Sequence, residues 1–200
     1  MNSLRLLFVV SLLAVTGCKV VVPGPLPEHA GPALQRDAGH ALLLDTLKDE
    51  ARVGGLLSIK TVPPETATLI RRIATTSERS AKALESLFAG PPPIDSSRTW
   101  LPLPEIEARD WIANRTTIAL LGGDGRTLEV DLILSQLKVT DYIAALAAAL
   151  SKNEPSSSRR EELDRIRSEY VALHAAFRSR LGVLASAASA AKPSAPKGDG

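Results

Sequence analysis

The chain has 200 residues, 44% of them hydrophobic and only 4% aromatic. Its 24 Lys and Arg against 22 Asp and Glu leave a formal charge of +2, too balanced for the basic face that nucleic-acid binding requires. A single cysteine excludes an intramolecular disulfide framework.

At the N-terminus one positive charge, Arg5, precedes an apolar run from Leu6 to Val15 that is broken only by Ser11. A membrane-spanning helix needs about 20 apolar residues, so this run is too short, and its placement behind a basic residue is that of a secretory signal. It closes on Val15-Thr16-Gly17-Cys18, which resembles the lipobox of bacterial lipoproteins: an aliphatic residue, a small one, Gly or Ala, then Cys. The resemblance is confined to residues 1–18. It implies cleavage before Cys18, a diacylglyceryl thioether on the Cys18 thiol, and acylation of the new amino group. Each buried methylene contributes about 0.8 kcal/mol, so several acyl chains give the stable anchor that one cannot. The membrane is thus the first expected partner. In enterobacterial lipoproteins an Asp after the cysteine marks retention in the inner membrane. Lys19 stands there instead, which points to the periplasmic side of the outer membrane in a Gram-negative cell. Loss of Arg5 with the signal takes one charge from the 24 basic residues and leaves a formal +1.

Residues 18–32 read as a tether, because prolines and glycines between Val20 and Pro32 keep the chain extended. Residues 33–186 read as one helical domain. Residues 187–200 read as a tail too poor in large apolar groups to order itself, a composition that already sets in at Ala185.

Within the domain a first helix is expected from Ala33 to Lys60, ended by Val62-Pro63-Pro64, with Pro64 opening the second. That second helix, Pro64 to Phe88, carries one stripe: Ile70, Ala74, Ser77, Ala81, Leu84 and Phe88. A long connection from Ala89 to Gly125 holds a shorter helix, Pro104 to Leu121. Residues 116–134 are open to a β-hairpin reading, since Leu128, Val130, Leu132 and Leu134 alternate with polar residues. The longer window favours a helix from Arg126 to Ser151, because Leu128, Leu132, Ser135, Val139, Tyr142, Leu146 and Ala149 keep a four-three spacing. Gly122-Gly123-Asp124-Gly125 is then a helix stop and start. The last helix is expected to begin with a capping box, Ser158-Arg159-Arg160-Glu161, and to turn Leu163, Ile166, Tyr170, Leu173, Phe177, Leu181 and Leu184 inward. The basic doublets Arg71-Arg72 and Arg159-Arg160 read as solvated faces.

The expected fold is all-α, a four-helix bundle of two helical hairpins joined by a long crossover with a short extra helix. This order of elements is similar to that of ferritin-like bundles. Such a resemblance implies a Glu from each of two helices and a Glu-x-x-His from each of the others, and no Glu-x-x-His is present. Its nearest counterparts, Glu78-Arg79-Ser80-Ala81 and Glu169-Tyr170-Val171-Ala172, have Ala in place of the histidine and lie one position off their seams. His29, His40 and His174 show no zinc-binding spacing. Nucleophile-elbow, dinucleotide and P-loop motifs are missing as well. Trp100 and Trp111 read first as covers over the bundle end and second as exposed anchors for a partner.

The residues therefore lead to a non-catalytic, lipid-anchored envelope protein with Cys18 as its modified residue. Its helical domain would serve a structural or protein-interaction role, with no catalytic, cofactor-binding or metal residue and no cofactor. Alternatives are a degenerate ferritin-like bundle with residual metal or redox activity, and a carrier of an apolar ligand.

Overall fold

The computed structural model describes residues 31–190, so Cys18, the signal segment and most of the tether lie outside the described residues. All regular structure among the described residues is helical, with no strand. The helices are α1 Pro32–Glu50, α2 Pro64–Ser86, α3 Leu103–Gly122, α4 Gly125–Ser151 and α5 Ser157–Ala190, with a 3-10 segment Val53–Ser58 after α1.

Three helices carry proline at their first or second residue, Pro32, Pro64 and Pro104, where the missing N–H would have had no partner and the fixed φ suits the helix. The first helix stops at Glu50, ten residues short of Lys60. Gly54-Gly55 pays too much backbone entropy to continue an α-helix. The chain tightens into the 3-10 segment instead, and Leu56 and Leu57 still reach the core. α2 ends at Ser86, after which Phe88 folds inward and its carbonyl accepts the Ile94 N–H at 2.9 Å.

The connecting helix α3 is not short: its 20 residues exceed the 19 of α1. The hairpin alternative for 116–134 is also set aside, because α3 ends at Gly122 and α4 starts at Gly125, whose φ of +46° suits glycine. The seam of α4 differs from the expected one. Beyond Leu132 the buried line runs through Ile133, Gln136, Thr140, Ile143, Ala147 and Ser151. Ser135, Val139, Tyr142 and Leu146 are half-buried and Ala149 is exposed. The cause is that α1 and α5 both pack on α4 and centre its buried face one residue further round, while α3 covers its flank through Arg109, which donates to the Tyr142 hydroxyl at 3.0 Å.

On α5 the predicted seam is buried from Leu163 through Phe177 and half-buried at Leu181 and Leu184. Its expected capping box is displaced. The helix starts at Ser157, the Ser156 hydroxyl faces the Arg159 N–H at 3.5 Å, and Glu154 rather than Glu161 accepts a backbone donor, the Ser156 N–H at 2.9 Å. The helix also continues to Ala190, through the small-residue stretch expected to lose order, although residues 185–189 are exposed.

α1 packs on α2, α2 on α5, α5 on α4 and α4 on α1, closing a ring around the core. Neighbours in the ring run antiparallel, as the pairs Lys48–Glu85 with His40–Phe88, Thr66–Arg180 with Ser77–Tyr170, Ser151–Asp164 with Thr140–His174, and Gly39–Leu150 with Glu50–Gln136 show. At Gly39 α1 and α4 come so close that a Cβ would lie 2.6 Å from the Leu150 side chain. By length and its mean hydropathy of 1.3, α4 alone among the described helices could cross a membrane. It is instead packed by three helices and buries Glu129, Gln136 and Thr140.

Candidate functional site

Polar groups are buried at three levels of the helical ring. At one end, His40 of α1, Glu154 of the α4–α5 connection and Arg159 of α5 have side chains with no exposed surface. Arg159 donates from Nε to Glu154 Oε1 at 2.9 Å, from Nη1 to the carbonyls of Leu87 and Gly90 at 3.2 and 2.9 Å, and from Nη2 to that of Pro92 at 2.7 Å. The reading of Arg159 as a solvated face is thus corrected. The proline-rich connection after α2 leaves carbonyls without helical partners, and a guanidinium with its fork of five donors satisfies them. His40 Nδ1 donates to the Arg36 carbonyl at 2.9 Å. Its Nε2 lies 3.1 Å from Glu154 Oε2, an ion-pair distance without hydrogen-bond alignment. Burial holds the His40 pKa below its ordinary value, against the raising influence of the Arg36 carbonyl and of Glu154.

In the middle, every helix of the ring contributes polar groups: Glu50 from α1, Ser77 and Ser80 from α2, Gln136 from α4 and Tyr170 from α5. The Ser77 and Tyr170 hydroxyls share a 2.5 Å hydrogen bond. Burial pushes the Glu50 carboxyl up to about 8, with Gln136 pulling it down and Asp49 pushing it further up. Glu50 Oε1, Gln136 Oε1 and Ser80 Oγ are buried without a hydrogen-bond partner. At the far end, Arg180 of α5 donates from Nε and Nη2 to Glu129 Oε1 at 3.0 and 2.8 Å, and Thr66 bonds the same oxygen.

The two carboxylates nearest to a ferritin-like pattern are held in surface ion pairs, Glu78 with Lys82 at 2.6 Å, and Glu169 with Arg79 at 2.7 Å and Arg165 at 2.8 Å. His174 is half-buried and donates from Nδ1 to the Leu137 carbonyl at 3.2 Å. Among the described residues no group of three or more His, Cys, Asp or Glu side chains is placed to hold a metal ion.

Two surface features remain. The first is α3, which buries none of its residues and leaves Leu103, Trp111, Ile112 and Ile118 at 50, 62, 58 and 71% exposure. Trp111 does not cover the ring: it lies in the open with the Arg115 guanidinium 5.2 Å from its ring centre. Trp100 is half-buried, and Arg98 stacks on it at 5.1 Å. The second is a groove of about 490 Å³ between α2 and α5, walled by Arg71, Arg72, Thr75, Thr76 and Arg79 and closed by Glu169 and Leu173.

No family model, curated protein or solved structure matches the chain.

Proposed function

We propose that this chain is a lipid-anchored cell-envelope protein, held on the periplasmic side of a membrane by acyl chains on Cys18. Its helices act without catalysis as a docking module for another envelope protein. The closed ring of α1, α2, α5 and α4 supports a four-helix bundle of two hairpins with ferritin-like order, α3 being the crossover. The lipobox residues 15–18 support the anchor, and Lys19 supports the outer membrane.

The observation that carries the docking reading is α3 itself. Three large apolar side chains on one helix, Trp111, Ile112 and Ile118, are more than half exposed, with Arg115 stacked on Trp111, and such clustered exposed apolar surface is of the kind that marks a protein contact. Trp is also the residue type most enriched among side chains that dominate binding. The three buried polar clusters tie the helices together and present little to solvent, whereas α3 adds no buried residue to the core.

Chemical crosslinking in intact membranes, followed by capture of this chain, tests the reading with Trp111→Ala and Trp100→Ala beside the wild type. One discrete crosslinked species is expected for the wild type and for Trp100→Ala, and its loss in Trp111→Ala. The same species in all three, or none in the wild type, contradicts the reading.

A further inference from the structure

We propose that the groove between α2 and α5 is a binding site for a phosphate-bearing anion, with Arg71 and Arg72 as the contacting cations. The site is separate from the docking surface, since α3 packs on α4.

Charge is the first argument. Three guanidinium groups and one carboxylate line the groove, and that carboxylate, Glu169, is already bonded by Arg79 and by Arg165. Some surface arginines find acidic partners, as Arg52 does with Asp49, Arg109 with Glu105 and Arg165 with Glu162, while Arg98 and Arg115 lie over tryptophan rings instead. Arg71 and Arg72 make no hydrogen bond or ion pair with any described residue, so two full charges meet in one concavity without an answer.

Hydroxyls are the second argument. A helical threonine either turns its hydroxyl back to the carbonyl four residues earlier, as Thr46, Thr68 and Thr140 do here at 2.7 to 2.8 Å, or leaves it open to another partner, as Thr117 and Thr127 do. Thr75 and Thr76, which line the groove, are of the second kind: neither hydroxyl bonds another described residue, and both stand beside Arg71 and Arg72. Arg72, Thr76 and Arg79 follow one another at steps of four and three along a single helix face, and Arg71 with Thr75 lies one residue round. A planar guanidinium offers two parallel N–H donors that match two oxygens of a phosphate, and hydroxyls complete such a cradle. A volume of about 490 Å³ admits a ligand larger than one phosphate, so a diphosphate or a phosphodiester headgroup fits.

The test uses the detergent-solubilised full chain and the double variant Arg71→Gln/Arg72→Gln, with Arg98→Gln as a control of equal charge type outside the groove. Calorimetric titration with inorganic pyrophosphate at constant ionic strength is one arm. Partitioning onto phosphatidylglycerol relative to phosphatidylcholine vesicles is the other, in which any acyl anchor contributes equally to both vesicle types. We expect the wild type and Arg98→Gln to bind pyrophosphate, or to prefer the anionic vesicles, at least tenfold more strongly than the double variant. Response to pyrophosphate alone would identify a soluble phosphate ligand, and response to vesicles alone a lipid headgroup. No preference by the wild type in either arm, an unchanged double variant, or an equal loss in Arg98→Gln would overturn the proposal. The mutated side chains are exposed, so unchanged thermal melting separates a lost site from a lost fold.

Discussion

Glu50 has a carboxyl group sealed among helices with one oxygen unpartnered, and burial raises its pKa from 4.5 to about 8. An acid whose folded pKa is raised stabilises the fold fully below its unfolded pKa, and the contribution is lost as pH rises toward the folded value. Stability should therefore decline from about pH 4.5 to about 8 by several kcal/mol, at roughly 1.4 kcal/mol per unit. Glu50→Gln should abolish that decline, read as urea midpoints across the range. His40 works in the opposite sense: its lowered pKa withdraws stability as pH falls below its ordinary value of 6.5. Arg159 is a separate case, because removing one partner of a fully buried ion pair strands the other. Arg159→Ala should cost about 3 to 5 kcal/mol in urea unfolding, with the 87–92 carbonyls also losing their donors. None of this was legible in the chain. His40, Glu154 and Arg159 are far apart or on different elements, and nothing in a linear pattern tells a buried arginine from the solvated one beside it. The signal that could have led to Arg159 was the run of carbonyls around Pro91 to Pro93, which no helix could satisfy.

Helices were the legible part. The α5 seam from Leu163 to Phe177 follows from spacing alone, because a helix packed along its length keeps one face inward. The α4 seam shifted by one residue because its real face is set by two neighbours and includes Gln136 and Thr140, polar residues that a search for apolar spacing passes over. α3 was visible as a helix, but its exposure depends on which surface it meets. Leu132→Ala should destabilise by about 2 to 5 kcal/mol, since Leu132 has no exposed surface. Trp111→Ser with Ile118→Ser should change the melting midpoint by no more than a surface substitution does, about 0.5 kcal/mol. Equal losses in the two variants would mean that α3 is part of the core.

For the whole molecule, the ring of helices is held by polar clusters near both ends and across the middle, which fix how the helices register against one another. Its outer surfaces divide into an apolar helix on α4 and a cationic groove between α2 and α5. Neither surface involves the apolar run from Leu6 to Val15 or Cys18, on which the proposed lipid anchor rests. An anchored module works only where its anchor places it, so the account depends first on Cys18. The most direct measurement is membrane fractionation of wild type and Cys18→Ala with mass spectrometry of the N-terminal peptide. The wild type should sediment with membranes and carry acyl chains on Cys18, and the variant should leave the membrane fraction; an unmodified Cys18, or a variant that sediments as the wild type does, would contradict the account.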